Sequence, residues 1–335
     1  MPPTDSRTSA LACLLAAALS LAAAPALAAP GLDGPRVVRA VPVPQGFVGH
    51  LALEPETNRL WLVSFGPPAN PSGPSRLYEV DPATGRVLRQ AELPLQGSFA
   101  PPVAIAGRLY VGVYWESRIH EISTGPDDFG RVLRSVPVPG TAALGLGADG
   151  HYRYPFLEFA GLAADAGGNL LVQASHAGEL ITLDRETGAV LRRVPILPGL
   201  GGIAAVQAVQ GGRPLLIANR DPENAAVVDK VMRFDVQPAR TPVPTKRSRW
   251  GSFAARPDAK RVSWLLLDPE TGAVLVSTEV ADSPAHAAST ALLGREEAPG
   301  TPFGRFRLLA LGAGGLLTLE WTPEPEDHAS NDRVP

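Results

Sequence analysis

Two short segments concentrate aromatic and ionisable side chains of the kind that recognise ligands. Three of the five tyrosines in the chain fall in Tyr114-Trp-Glu-Ser-Arg-Ile-His120 and His151-Tyr-Arg-Tyr154. Aromatic rings with a polar edge suit the recognition of a sugar, a peptide or a planar molecule. The alternative is packing between structural repeats, with the polar tips in water. The predicted ligand-binding residues of these segments are Trp115, Glu116, His151, Tyr152 and Tyr154.

The sequence lacks the short motifs of several common chemistries. It contains no His-Glu-x-x-His zinc pair, no Gly-x-x-x-x-Gly-Lys-Ser/Thr phosphate loop and no Gly-x-Ser-x-Gly nucleophile turn. The single cysteine, Cys13, lies in an apolar segment near the N-terminus. Thiol catalysis and disulfides are therefore not expected in the rest of the chain.

A repeated segment indicates how such side chains are positioned. Each copy has the alternation of a short strand, and the copies begin roughly 50 residues apart, as in repeat architectures. The four copies are Arg36-Val-Val-Arg-Ala-Val-Pro-Val-Pro44, Arg86-Val-Leu-Arg-Gln-Ala-Glu-Leu-Pro94, Arg131-Val-Leu-Arg-Ser-Val-Pro-Val-Pro139 and Ala189-Val-Leu-Arg-Arg-Val-Pro-Ile-Leu-Pro198.

Turn signals divide each repeat into two hairpins. Asp81-Pro-Ala-Thr-Gly85 and Asp184-Arg-Glu-Thr-Gly188 precede copies of the repeated strand, with Asp opening the turn and Gly closing it. A second type of hairpin is predicted to begin each repeat. Its copies are Leu51–Val63, Val103–Val111, Leu162–Val172, Leu265–Val276 and Leu309–Leu319.

Two hairpins per repeat make a four-stranded antiparallel sheet, and such sheets in series are typical of a β-propeller. We predict an all-β fold: one propeller over residues 29–322, with six four-stranded blades favoured over five or seven. Strand 231–236 is expected to be the third strand of its blade. Residues 36–44 are predicted to pair with the last hairpin and so to close the ring, which removes exposed sheet edges.

Aligning the first hairpins of the blades points to a pocket at the mouth of the central channel. The equivalent positions are His50, Pro102, Gly161, Gly202 and Trp264. Only the imidazole of His50 and the indole of Trp264 offer a polar or aromatic surface there. They are interpreted either as part of a ligand pocket or as side chains that fill the channel.

Part of the chain resembles known propellers. Gly161-Leu-Ala-Ala-Asp-Ala-Gly-Gly-Asn-Leu-Leu-Val172 and Gly178-Glu-Leu-Ile-Thr-Leu-Asp184 resemble blades of the NHL-repeat, YncE-like and gluconolactonase-like (regucalcin-type) group. A narrower likeness, carried by Leu157–Leu162 and Leu216–Asp221, is to the SdiA-regulated and phytase-like-esterase propellers. The group includes lactone hydrolases, lyases and binding scaffolds, so the resemblance implies a fold and leaves the function open.

The gluconolactonase-like resemblance also implies a divalent cation held by oxygen ligands near the channel axis. Residues of the matching types are Glu158, Asn219 and Asp221. The first-blade strand Phe47-Val-Gly-His50 departs from that family, because it has no Glu where the family usually begins.

The first 28 residues have the features of a secretory signal. Arg7 precedes an apolar stretch, Leu11–Leu21, and Ala26-Leu-Ala28 is a cleavage signal. The stretch is shorter than the roughly 20 residues of a membrane span, so a soluble periplasmic or secreted protein is predicted. A net charge of −3 argues against nucleic acid as a partner. Residues 323–335 are predicted to be a disordered polar tail.

Taken together, these features predict an exported propeller that binds a small molecule or a partner protein on its loop face, without catalysis. The alternative is a metal-dependent hydrolase of the lactonase or esterase kind, using Glu158, Asn219 and Asp221 with His50 nearby.

Overall fold

The structure of the chain is a computed structural model. It describes residues 34–44, 47, 49–54, 56–64, 74–95, 101–113, 118–138, 145–146, 152–153, 159–174, 178–197, 200–206, 214–220, 261–281, 285–312 and 315–324, with only the backbone described at a few strand positions. All of them belong to one compact unit, Gly31–Pro335.

The described chain forms five antiparallel sheets of four strands each, which we call blades 1 to 5. Blade 1 comprises β2 to β5, blade 2 β6 to β9, blade 3 β12 to β15 and blade 4 β16 to β19. Their bounds are, in order, Gly49–Glu54, Arg59–Ser64, Ser75–Val80 and Val87–Leu93; Val103–Ile105, Arg108–Val113, Arg118–Ser123 and Val132–Pro137; Phe159–Ala164, Leu170–Ala174, Glu179–Leu183 and Val190–Pro195; and Leu200–Val206, Leu215–Arg220, Arg261–Leu267 and Val274–Ala281.

Blade 5 joins the two ends of the described chain. It contains β20 (Ala285–Glu296), β21 (Arg305–Gly312) and β22 (Gly315–Trp321), and its fourth strand is the N-terminal β1 (Arg36–Val41). β1 pairs antiparallel with β22, with Ala40 opposite Leu317. The N-terminal strand therefore shares a sheet with the last hairpin of the chain.

The prediction of six blades is wrong, because the hairpin at 265–276 was assigned to a separate blade. It is the outer half of blade 4, where β18 pairs with both β17 and β19. Strand 231–236, predicted as the third strand of that blade, lies outside the described residues. The turn Asp268-Pro-Glu-Thr-Gly272 has the same Asp-x-x-Thr-Gly pattern as the outer turns of blades 1 and 3. This pattern could have identified the 265–276 hairpin as the outer half of a blade.

The other described element is a short pair, β10 (Gly145–Leu146) with β11 (Tyr152–Arg153), in the connection between blades 2 and 3. Across the described ranges, no helix has the length and apolar character needed to cross a bilayer.

The core lies between blades. Strands in the middle of each sheet bury both faces, so their sequences are almost continuously apolar. In β3, Leu60 and Leu62 pack against blade 5, whereas Trp61 and Val63 pack against blade 2. Among the described residues, five apolar clusters fill the interfaces between neighbouring blades. They lie between blades 1 and 2, 2 and 3, 3 and 4, 4 and 5, and 5 and 1. The first strands of successive blades also contact one another, including β20 with β2.

The outer turns are built as the sequence predicts. In blade 1 the Asp81 carboxylate accepts bonds from Ala83 N (2.8 Å) and Thr84 Oγ1 (2.7 Å), and Gly85 N donates to Asp81 O (2.8 Å). The hydrogen bond from Thr84 holds the pKa of the Asp81 carboxyl below its ordinary value. Gly85 has φ +72°, and a Cβ there would lie 1.9 Å from Pro42 O. Only glycine suits this position, because the turn meets the backbone of the neighbouring blade.

Arginines in the fourth strands bind the outer turn of the next blade. In each case the guanidinium donates to carbonyl oxygens, which fixes the distance between neighbouring blades. We call these residues the latch arginines. They are Arg39 to Ala83 O, Arg89 to Thr124 O (2.8 Å) and Gly125 O (3.1 Å), Arg134 to Arg185 O (3.0 Å) and Glu186 O (2.5 Å), and Arg192 to Pro269 O (3.4 Å).

Each latch arginine is the fourth residue of a copy of the repeated segment. Blade 4 has Val276 at the equivalent place, opposite Leu266, where blade 3 has Arg192 opposite Thr182. The next blade has no turn to receive an arginine, because β22 and β1 come from opposite ends of the described chain. The latch is therefore missing where its acceptor is missing.

Candidate functional site

The two ends of the ring differ in what the sequence places there. We call the end at which β2, β6, β12, β16 and β20 begin the first-strand end. The opposite end carries the Asp-x-x-Thr-Gly turns and is called the turn end. Among the described site residues, His50 lies at the first-strand end on β2, and Asn219 lies close to it near the end of β17.

The structure describes only part of the predicted set. His50 lies on β2, Asn219 on β17 and Trp264 on β18, and Tyr152 begins β11, with its side chain not described. The remaining predicted residues lie outside the described residues: Trp115, Glu116, His151, Tyr154, Glu158 and Asp221.

Trp264 is not on a first strand, as the alignment of hairpins had placed it. It lies on the third strand of blade 4, is 1% exposed, and belongs to the apolar cluster between blades 4 and 5. Its ring centroid is 6.2 Å from that of Trp321. The error has the same cause as the sixth blade, namely the assignment of the 265–276 hairpin to the inside of a separate sheet.

His50 is the second residue of β2, the first strand of blade 1. It is 3% exposed and pairs with Val63 on β3. Side chains alternate along a strand, so its imidazole lies on the same face as Ala52, which packs between blades 1 and 2. His50 and Trp264 therefore belong to different blade interfaces.

The structure brings Trp264 together with Asn219, which the sequence had assigned to a different site. The two residues are a cross-strand pair, so their side chains lie on the same face of blade 4. Asn219 is also 1% exposed. Neither Nε1 of Trp264 nor Oδ1 of Asn219 has a hydrogen-bond partner in the part of the chain that the structure describes.

A third polar group faces the same interface from blade 5. Thr290 on β20 pairs with Ala310, which belongs to the apolar cluster containing Trp264. The Thr290 hydroxyl is buried and, like the two groups on blade 4, has no hydrogen-bond partner among the described residues. We call Asn219, Trp264 and Thr290 the interblade polar group.

Gln173 is a related residue at the interface of blades 3 and 4. It is fully buried near the end of β13, and its Nε2 donates to Leu200 O at the start of β16 (2.6 Å). Its Oε1 has no partner within the described ranges. Gly161, opposite Gln173 in the sheet, leaves room for this amide, since a Cβ there would lie 3.3 Å from Oε1 and 2.7 Å from Ile203 N.

Buried polar atoms are nearly always hydrogen-bonded in folded proteins, and leaving one without a partner costs about 1–3 kcal/mol. Two amide oxygens, an indole N–H and a hydroxyl in this state lie near the first-strand end of neighbouring blades. Apolar residues would fill these positions at lower cost. These atoms are therefore the described groups that a bound molecule or ordered water could pair with.

The gluconolactonase-like resemblance implies a cation held by Glu158, Asn219 and Asp221. Only Asn219 lies among the described residues, where it pairs with Trp264 across β17 and β18, so this cation site stays a prediction. Across the described residues, no group of three or more His, Cys, Asp or Glu side chains is arranged to hold a metal ion.

No protein-family model and no curated protein matches the chain. Among solved structures it is similar to the glutaminyl cyclase of Myxococcus xanthus, at 13% identity and TM-score 0.49, covering 88% of this chain and 97% of that one. It is also similar to a catalytically inactive virginiamycin B lyase from Staphylococcus aureus with quinupristin, at 10% identity and TM-score 0.41, covering 87% and 89%. Likenesses at this level do not indicate a shared activity, and membership of the NHL-repeat or YncE-like groups stays a prediction.

Proposed function

We propose that this protein is an exported, non-catalytic β-propeller that binds a small neutral molecule rich in hydroxyl groups at the first-strand end. The observation that carries the proposal is the interblade polar group, whose buried donors and acceptors have no partner in the described chain. Pairing of β1 with β22 supports a closed and rigid ring as the platform for binding.

The chemistry of the interblade polar group selects the ligand. The Asn219 oxygen accepts hydrogen bonds, the Trp264 N–H donates one, and the Thr290 hydroxyl does both. A sugar hydroxyl is also both donor and acceptor, so a few hydroxyls would satisfy all three groups. None of the three side chains carries a charge, and a charged ligand would lose its hydration there without a counter-ion.

Binding is tested with the purified mature protein and a panel of neutral sugars (glucose, xylose, cellobiose and N-acetylglucosamine) by isothermal titration calorimetry. We expect at least one sugar to bind saturably, and Asn219→Leu to weaken that binding about tenfold or more, the cost of one lost hydrogen bond in a buried site. Gln90→Leu removes an exposed amide from β5 and serves as the matched control.

The thermal stability of the Asn219→Leu variant distinguishes a bound ligand from ordered water as the partner of these buried atoms. If a ligand supplies the partners, Asn219→Leu should raise the unfolding midpoint of the ligand-free protein, because an unpaired oxygen is replaced by an apolar group of similar size. A lowered midpoint, together with no sugar bound by the wild type, would mean that ordered water already satisfies these atoms, and the proposal would fail.

Export is part of the same proposal and rests on the N-terminal signal alone. Expression of the full chain in a bacterial host, followed by N-terminal sequencing of the mature protein, should find a first residue close to position 29. A full-length chain retained in the cytoplasm would contradict it.

A further inference from the structure

A groove of about 690 Å³ lies at the turn end between blades 1 and 2, on the opposite side of the ring from the interblade polar group. Blade 1 contributes Arg59, Glu79 and Arg89 to its walls. Blade 2 contributes Arg108 and the outer turn at Thr124 and Gly125.

Three of the side chains that line the groove are arginines and one is a carboxylate. Arg59 and Arg89 share a single carboxylate: Arg59 Nε bonds Glu79 Oε1 at 2.9 Å, and Arg89 Nε bonds the other oxygen. Burial opposes ionisation of Glu79, but hydrogen bonds from Arg59 and Arg89 outweigh it and hold the carboxyl pKa below its ordinary value. Three guanidinium groups and one ionised carboxylate line the groove, and beside Arg108 the Glu121 carboxylate (3.7 Å) is shared with Arg134.

The two guanidinium groups of blade 1 are held in place before any ligand arrives. Arg59 stacks over the Trp61 ring at 4.9 Å and Arg89 over the Phe129 ring at 4.2 Å. Both also donate to Thr124 O, across the interface with blade 2. Because their rotamers are already fixed, a ligand would bind without the entropic cost of ordering them.

Some guanidinium N–H groups in the groove are not used in hydrogen bonds to the described residues. Arg59 uses Nε and Nη2, and Arg108 uses Nη1 toward Ser123 Oγ (3.3 Å), while its Nε lies 3.7 Å from Glu121. Within the described residues, neither Nη1 of Arg59 nor Nη2 of Arg108 donates a hydrogen bond. The Arg108 side chain is 44% exposed, so solvent reaches it.

We propose that this groove is an anion-binding site for a small molecule that carries a phosphate or carboxylate group. Arg59 and Arg108 approach the anion from the two blades, and the Arg89–Glu79 pair positions Arg59. Planar guanidinium groups with free Nη hydrogens match both kinds of oxyanion. This anion site is separate from the proposed sugar site. It lies between different blades, at the opposite end of the ring, and takes a charged ligand.

The test uses the intact mature protein and two probes, inorganic phosphate and citrate, each titrated by calorimetry at constant ionic strength. We expect saturable binding of at least one probe. Phosphate alone would identify a phosphorylated ligand, and citrate alone a carboxylate. Arg108→Gln should weaken binding about tenfold or more, since hydrogen bonds to charged groups are among the stronger ones.

Arg36→Gln is the matched control. It removes the same charge from an arginine that is 68% exposed on β1 and faces Glu320, away from the groove. We expect it to bind the probes as the wild type does. Equal losses in both variants would show a general effect of net charge, and absence of saturable binding to either probe would show that the groove is only a structural interface. Both outcomes overturn the proposal, and neither bears on sugar binding at the first-strand end.

Discussion

Ala106 has a backbone conformation that its side chain does not favour. β6 and β7 are joined by a two-residue turn in which Ala106 has φ +49° and Gly107 φ +72°. Turns with two positive φ values match the twist of a hairpin and usually contain Asn or Gly. Two contacts hold this one in place: Gly107 N donates to Glu54 Oε1 (2.6 Å), and Thr124 Oγ1 donates to Gly107 O (2.6 Å).

We therefore expect Ala106→Gly to stabilise the protein. An alanine in the left-handed region costs about 1 kcal/mol, and glycine removes this strain. Glycine also raises the conformational entropy of the unfolded chain, which offsets part of the stabilisation. The free energy of unfolding in urea should rise by about 0.5 kcal/mol. Ala83→Gly is the control: Ala83 is exposed in an outer turn and has no positive φ, so the same change there should destabilise. A loss of stability in both variants would contradict the assignment of strain to Ala106.

Residue types alone did not show which predicted site residues meet. Trp264 and Asn219 both stood out in the sequence, but they are 45 positions apart and were assigned to different sites. Only the register of β17 with β18 makes them neighbours. Gln173 and Thr290 were missed, because an amide or hydroxyl in an apolar strand reveals nothing until the burial of its atoms is known.

At the scale of the strands and turns, Arg134 is a latch arginine that joins two blades through several contacts. It forms an ion pair with Glu121 across β8 and β9, and its Nη atoms bind two carbonyls of the blade 3 turn. Glu121 is largely buried. Loss of Arg134 would leave that carboxylate without its closest cation and both carbonyls without a donor.

Arg134→Ala should lower the free energy of unfolding by about 2 kcal/mol, the range for breaking a partly buried charged network. Arg131→Ala is the matched control, because Arg131 begins the same copy of the repeat, is 67% exposed and pairs with Asp128 inside its own blade. Exposed pairs of this kind contribute less than about 1 kcal/mol. Urea unfolding of both variants measures the difference, and equal effects would show that the latch has no special role.

The sequence predicted most hairpins because each has its own local signal. The β2–β3, β6–β7 and β12–β13 hairpins and the Asp81 and Asp184 turns were identified from apolar runs and turn residues. Blade 4 was misassigned because residues 221–260 separate its two halves, and pairing over such a distance has no local signature. The arginines of the repeat were visible, but their role depends on a contact with the next repeat.

At the scale of the whole molecule, the N-terminal strand β1 has contacts with several parts of the ring, although its partner β22 lies at the other end of the described chain. β1 covers the edge of β22, Val37 packs against the cluster between blades 4 and 5, and Arg39 binds the blade 1 turn. An uncovered β22 would present free backbone groups to other molecules.

A variant that begins after Pro42 should therefore unfold at a lower temperature and form dimers or larger species in size-exclusion chromatography. Removal of residues 325–335 from the other end of the chain is the control, and we expect it to change neither property. A monomeric variant without β1 that kept the wild-type midpoint would show that the strand is dispensable for the ring.

The direction of the latches bears on how such a ring changes by gene duplication. Each blade from 1 to 3 supplies an arginine to its successor and offers a turn to its predecessor, so a copied unit of roughly 50 residues brings both halves of a new head-to-tail contact. A copy inserted among these blades restores every contact. A copy inserted after blade 4 meets Val276 on one side and a blade without an outer turn on the other. Growth of the ring is therefore favoured early in the chain and disfavoured at its last junction.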